Sequence, residues 1–221
     1  MARETPGIET VVRFENAGVS LGGRPILRAL DLEVQAGDAV GIAGPNGSGK
    51  TTLIRTAATL VSLDQGHLAV LGQDADARDL VATRRGIGLI GHQPSLIDEL
   101  SLVENLNHVA RLGGVETARI ERALEVVGLS EAADRRAEAC SFGMRRRVEI
   151  AHLLLTRPRL LLLDEAASGL DESARDLIEA LLKSVRERGG GCIVVSHDRS
   201  QLTSLCSRVA TLSNGRLEMA T

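Results

Sequence analysis

Aromatic residues are almost missing from this 221-residue chain: Trp and Tyr are absent, and Phe14 and Phe142 are its two phenylalanines. Two isolated rings cannot form a platform on which successive bases stack, which argues against a single-stranded nucleic-acid binder. A surplus of one charge is lacking too. A net charge of -3 and a pI near 6.0 give no general pull toward nucleic acid or anionic lipid. No apolar run approaches the length of a membrane span; the leucines at 160–163 suit a buried strand. No charged-then-apolar leader opens the sequence. The cysteines Cys140, Cys192 and Cys206 make no CxxC pair and leave one unpaired, as suits a reducing cytoplasm. The expectation is a soluble, intracellular polypeptide. Lysine is scarce as well: Lys50 and Lys183 stand against 24 arginines.

What is present is globular. Hydrophobic residues make up 43% and charged residues 25%, and the length suits one substantial domain with its own core. Residues 11–15 and 30–34 alternate apolar with polar around Gly22-Gly23, which predicts antiparallel strands. Residues 40–43 read as a short buried strand, followed by a glycine-rich turn and a helix over about 50–60. Strands are expected at 68–71 and 87–90. From 100 to about 137 the apolar spacing turns helical, with Ile120, Leu124 and Val127 before the stop at Gly128. Helices over 144–157, ended by Pro158, and 171–188 bracket the strand at 160–163. A further strand covers 192–195, and Asn214-Gly215 marks a hairpin between 209–212 and 216–218. Fully apolar strands alternating with helices predict a mostly parallel sheet covered on both faces, an α/β fold. All 221 residues are expected in one domain, with a helical insertion over about 94–157.

Residues 44–51, Gly-Pro-Asn-Gly-Ser-Gly-Lys-Thr, fit G-x-x-x-x-G-K-[ST] between a strand and a helix, the context this phosphate loop requires. Backbone N–H groups freed by glycine turn inward around phosphate oxygens, and the helix N-terminus adds partial positive charge. Lys50 brings a point charge and Thr51 a hydroxyl for Mg²⁺. That a lysine stands here in so arginine-rich a chain strengthens the assignment. The bland alternative is a glycine-rich connection that binds nothing. A second element is Asp164-Glu165 at the end of the leucine strand: Asp164 is placed to hold Mg²⁺, and Glu165 to orient or deprotonate a water. On their own, two acids at a strand end read equally as solvated loop residues. Residues 194–198 place His197 at the end of a third strand, where it can reach a γ-phosphate; a lone histidine there is more often structural.

These residues together resemble an ABC-type ATPase subunit, with motifs in the right order along nearly the whole chain. Gln93 matches the family's Q-loop, Ser168-Gly169-Leu170-Asp171 its D-loop, and residues 140–144, Cys-Ser-Phe-Gly-Met, its LSGGQ signature. The resemblance implies a P-loop NTPase (RecA-like) core with an N-terminal antiparallel β subdomain and an inserted α-helical subdomain. It implies ATP and Mg²⁺ as cofactors, and two protomers that sandwich ATP between one phosphate loop and the other's signature. Catalysis then falls to Glu165 as general base, His197 at the γ-phosphate and Gln93 as sensor, with Thr51, Gln93 and Asp164 serving the metal. The nucleotide-binding set becomes Leu21, Gly44, Pro45, Asn46, Gly47, Ser48, Gly49, Lys50, Thr51 and Thr52. Across the dimer it is joined by Ser141, Phe142, Gly143, Met144 and Asp171. Leu21 stands where the family stacks an aromatic residue on adenine, a loss on the order of 1 kcal/mol. Ala166-Ala167 replaces the usual Pro-Thr. Phe142 replaces a glycine and is expected at the dimer interface or rim.

The resemblance also implies a separate transmembrane permease, docked through residues 93–105, and a place on the inner face of the cell membrane. Within the family, residues 91–96 and 100–106, the run Ser-Phe-Gly-Met-Arg-Arg-Arg and residues 154–158, Leu-Leu-Thr-Arg-Pro, are most similar to haem-exporter subunits of cytochrome c maturation. Drug, lipid and antibiotic exporters are the alternative. A soluble ABC ATPase of translation or DNA repair normally has tandem domains or long coiled-coil insertions. A GTPase switch would need an N-K-x-D motif, and a non-hydrolysing regulatory subunit has usually lost its Glu or His. Arg145, Arg146 and Arg147 read as a solvated helix face, not as a nucleic-acid patch.

Overall fold

The computed structural model describes residues 9–166 and 170–219. Strands β1 (Thr10–Leu21) and β2 (Arg24–Gln35) form an antiparallel hairpin closed by Gly22-Gly23. Both strands run further than their alternation suggests. In β1 the register shifts between Phe14 and Ala17, where Asn16 takes φ 46° and donates its N–H to Asp31 Oδ1 at 2.7 Å. Such a bulge breaks the period-2 pattern without ending the strand. Strand β3 (Ala39–Ala43) then enters the core, followed by α1 (Lys50–Ala57), β4 (Gln65–Val70) and β5 (Gln73–Asp74). The first sheet has the order β2-β1-β4-β5.

The second half of the chain supplies α2 (Val81–Arg85), β6 (Ile87–Ile90), α3 (Leu102–Gly113), α4 (Ile120–Val126), α5 (Phe142–Thr156) and β7 (Leu160–Asp164). It closes with α6 (Glu172–Glu187), β8 (Gly191–Val195), α7 (Arg199–Leu205), β9 (Arg208–Ser213) and β10 (Arg216–Met219). Six strands make the central sheet, in the order β10-β9-β3-β8-β7-β6; every pair is parallel except the β9–β10 hairpin at Asn214-Gly215. β3, β7 and β8 are buried at every position, as strands covered on both faces must be. Alternation inside β7 divides the core in two. Leu160 and Leu162 pack with α1 and the first sheet, whereas Leu161 and Leu163 pack with α5 and α6. Each fully buried leucine is worth about 1.5–3 kcal/mol relative to an exposed one.

The helical excursion begins at a capping box. Ser101 N-caps α3, accepting from Glu104 N at 3.2 Å, while Glu104 accepts from Ser101 N at 2.7 Å. The Asn105 side chain pins the approach to this cap by accepting from Ile97 N (2.8 Å) and donating to Ile97 O (3.0 Å) and Ser101 O (2.9 Å). Helix α5 ends on Arg157 in the left-handed region, directly before Pro158. The three cysteines are free thiols, and burial pushes Cys192 and Cys206 up to about 12, which leaves them unreactive.

An apolar groove of about 450 Å³ lies between α2, α3 and α5, with Val81, Ile87, Leu112, His152 and Thr156 on its walls. Burial pulls the His152 imidazole from 6.5 down to about 4. Between those values the unfolded chain takes up a proton that the folded protein refuses, so stability is full above about 6.5 and falls as pH drops toward 4. The slope is at most about 1.4 kcal/mol per pH unit, less because the groove opens to solvent. Urea midpoints at about pH 7.5 and pH 5 should therefore differ more for the native chain than for His152→Gln; equal differences would contradict this.

Candidate functional site

The carboxyl ends of β3, β7 and β8 meet at one edge of the central sheet, where an open α/β sheet offers its binding crevice. A cleft of about 560 Å³ lies there, lined by Ile26, Asn46, Gly47, Gly49, Lys50, Thr51, Thr52, His92, Asp164, Glu165 and His197. It brings together residues more than a hundred positions apart in the sequence. Gly44, Pro45 and Ser48 shape the loop beneath without lining the cleft.

The loop leaves β3 at Gly44, where a Cβ would sit 2.3 Å from the Leu212 carbonyl oxygen, so a side chain is excluded. Gly49, at φ 109°, N-caps α1 with no side-chain cap and no acid in the first turn. The first N–H groups of α1 thus carry partial positive charge with no side-chain acceptor from the cap. Lys50, 7% exposed, folds back to donate from Nζ to Gly44 O (2.7 Å) and Pro45 O (3.1 Å). The buried Ser48 Oγ has no hydrogen-bond partner. An ammonium satisfied only by loop carbonyls, beside an orphaned hydroxyl and an open helix terminus, forms a set built for anionic oxygens.

Asp164 ends β7 and is 5% exposed; Glu165 follows in the left-handed region at φ 53°, its N–H donating to Val195 O at 3.0 Å. A non-glycine residue in this conformation costs roughly 1–2 kcal/mol and turns the chain sharply at the strand's end. The carboxylate of Glu165 meets His197, with Oε2 and Nδ1 2.9 Å apart, and accepts from Ser196 Oγ at 3.4 Å. In this contact a carboxylate oxygen can accept from a protonated Nδ1. Asp198 N-caps α7 by accepting from Ser200 N (2.9 Å) and Gln201 N (3.3 Å), fixing the strand-to-helix turn beside His197. This cleft can hold polyphosphate oxygens, offer hard oxygen donors to a cation, and take a proton from a water.

Two predicted members lie elsewhere. Leu21, 47% exposed at the end of β1, does not line the cleft; the apolar residue that does is Ile26 on β2. Gln93 is exposed on the loop after β6, and its neighbour His92 takes the place on the cleft wall. Neither Ile26 nor His92 is legible from the motifs, because both enter through the fold of connecting segments.

A second hollow, about 450 Å³, is lined by Ser141, Gly143, Met144, Arg147 and Asp171 together with residues of the 128–135 turn. Ser141 N-caps α5, accepting from Met144 N at 3.2 Å. Phe142 is not on this wall: 40% exposed, its ring lies 5.3 Å from the Arg146 guanidinium carbon. Ser141 and Gly143 thus face the hollow without the bulky residue between them. Asp171 N-caps α6 through Ala174 N (2.8 Å) and also accepts from Arg147 Nη2 at 3.1 Å. Hydrogen bonds from Ala174 N and Ser173, then Arg147, hold the Asp171 carboxyl below its usual range. Of the D-loop motif, Leu170 and Asp171 are described; Ser168 and Gly169, like Ala167, lie outside the described residues. The two hollows share no lining residue.

Arg145, Arg146 and Arg147 are not the solvated face that the sequence suggests. Arg145 pairs with Asp98 at 2.7 Å, Arg147 holds Asp171, and Arg146, 1% exposed, pairs with Glu149 at 2.6 Å. The signal was available as Arg-x-x-Glu, a spacing that lets two side chains meet on one helix face.

Comparison with known proteins agrees with this geometry. A family profile described as ABC transporter matches residues 27–168. An uncharacterized ABC transporter ATP-binding protein of Bacillus subtilis is 36% identical, covering 95% of this chain and 69% of its own length. The Nod factor export ATP-binding protein I of Rhizobium etli is 34% identical, covering 94% and 66%. The Fe(3+) ions import ATP-binding protein of Streptomyces avermitilis is 35% identical, covering 94% and 61%. A solved ATP-binding subunit of an ABC transporter superposes with a TM-score of 0.87 at 26% identity, covering 94% of this chain and 88% of that one. The chain belongs to the ABC transporter family and is one of its ATP-binding ATPase subunits.

Proposed function

We propose that two copies of this chain close on ATP and that its hydrolysis drives a separate membrane permease that exports its cargo. The observation that carries this reading is the meeting of the phosphate loop, Asp164, Glu165 and His197 in one cleft. Glu165 is the general base: its carboxylate, fixed by His197 and Ser196, takes the proton of a water as the water oxygen bonds to the γ-phosphorus and ADP leaves. Lys50 leaves the Gly44 and Pro45 carbonyls for phosphate oxygens, with Thr51 and Thr52 beside it on the cleft wall and the unpartnered Ser48 Oγ in the loop beneath. His197 stands on the cleft wall for the γ-phosphate, and Gln93 joins the cleft from the loop beside His92. Ser141 and Gly143 of a second copy supply the opposite wall.

Among the described residues no group of three or more His, Cys, Asp or Glu side chains could hold a metal alone. Thr51 and Asp164 bring two hard oxygen donors to the cleft, which fits an ion such as Mg²⁺ that takes its remaining ligands from phosphate and water. When bound there, Mg²⁺ neutralises charge that develops on the phosphate oxygens.

No described helix is long and apolar enough to cross a membrane. In this reading the permease is another chain, and it holds the protein at the inner membrane face. The chain as one domain, with residues 94–157 as its helical insertion, follows the same reading. The export direction draws on the named Nod factor relative, against the iron-import one. Export of haem rests on residues 91–96, 100–106, 141–147 and 154–158. Phosphate release from Mg·ATP tests the activity: turnover that needs Mg²⁺ and rises with the co-expressed permease is expected, and no release in its presence would refute the reading. Inside-out vesicles carrying both proteins then test cargo and direction, with haem as one arm.

A further inference from the structure

The loop that carries Gln93 is held at two points by one buried ion pair on the signature helix. Arg146 Nη1 meets Glu149 Oε2 at 2.6 Å, with the two side chains 1% and 9% exposed. From this pair, Arg146 Nη2 donates to His92 O at 3.0 Å, and Glu149 Oε1 accepts from Ser95 N at 2.8 Å. The two anchors stand on either side of Gln93-Pro94. At its outer end the Arg146 guanidinium lies against the Phe142 ring, within the signature itself. One pair of side chains therefore touches the signature, the Gln93 loop, and His92 on the cleft wall.

Stability alone is a poor reason for this arrangement. Two buried charges gain little over apolar residues of the same volume, because desolvation offsets their attraction. Burial raises the Glu149 carboxyl and lowers the Arg146 guanidinium from their usual ranges. Arg146 Nε, moreover, is buried without a partner. What the charges supply and apolar residues could not is directed hydrogen bonding to the backbone of a loop that is otherwise exposed. We propose that Arg146 and Glu149 are positioning residues for ATP hydrolysis, clamping the Gln93 loop to the signature helix so that the two move as one body. This rests on the reading above, in which Gln93 serves the nucleotide cleft and the signature of the same chain serves its partner's. The clamp then gives each chain a rigid link between the two ATP sites it contributes to.

The test compares the full chain with Arg146→Met/Glu149→Leu, in which apolar side chains of similar volume replace the pair, and with Gln93→Ala. For the double variant, an unfolding midpoint close to the native one is expected, together with a kcat about 10- to 100-fold lower and a KM for ATP within about threefold. A kcat within twofold of native would overturn the proposal. Amide hydrogen exchange on the native chain needs no variant. The Ser95 amide should exchange at least about tenfold more slowly than its exposed neighbour Gln93, and equal rates would overturn the clamp. Gln93→Ala separates the two levels. Native turnover in that variant would refute the role of Gln93, whereas slow Gln93→Ala beside a fast double variant would refute the clamp alone.

Discussion

Glu165→Gln lowers ATP turnover by about 10²- to 10⁴-fold while leaving ATP binding within a few-fold of native, the range expected for loss of a general base. The amide keeps the size of the side chain, and its oxygen still accepts from His197 Nδ1, now 2.9 Å from Oε2. It cannot take a proton, however, so the water that attacks phosphorus has no acceptor. The backbone supports this separation of binding from chemistry. Glu165 is held at φ 53° by its N–H bond to Val195 O, and neither depends on the carboxylate. Phosphate release and equilibrium dialysis with labelled ATP measure the two quantities. A variant that hydrolyses ATP at the native rate would remove Glu165 from the mechanism.

Lys50→Ala has its large effect on binding instead. A charge-assisted hydrogen bond to phosphate is worth about 1.5–3 kcal/mol, so ATP affinity falls roughly 10- to 150-fold, with folding preserved because α1 keeps its glycine N-cap. Lys50→Arg does not restore it. The lysine is 7% exposed and aims a compact ammonium at two carbonyls of its own loop, whereas a planar guanidinium needs more room and a different fork of acceptors. Titration of each variant with ATP in Mg²⁺ checks both statements; native affinity in Lys50→Arg would contradict the second.

The parts of the site that depend on contiguous residues were legible in the sequence. The phosphate loop lies between β3 and α1, Asp164 ends β7, β6 covers the expected residues 87–90, and Ser141 caps α5. Each follows from local rules: a buried strand, a glycine turn, a hydroxyl before a helix. The parts set by packing were not legible. β1 continues past a bulge that interrupts its alternation, and α2 and α7 are too short for a helical period to show. Ile26, not Leu21, lines the cleft wall, a placement that the spacing of the hairpin glycines does not reveal. Arg146 is the clearest case. A run of three arginines reads as surface, yet Glu149 and the backbone of the 92–95 loop draw the middle one inside.

That two copies close around ATP, joining the Lys50 cleft of one to the Ser141–Gly143 hollow of the other, is the central claim. Light scattering of Glu165→Gln, expected to bind ATP and consume it at least about 100-fold more slowly, measures this most directly. The account predicts a mass of 23.4 kDa without nucleotide and about twice that with Mg·ATP, the shift being lost in a Lys50→Ala background. A chain that stays at 23.4 kDa in saturating ATP would contradict it.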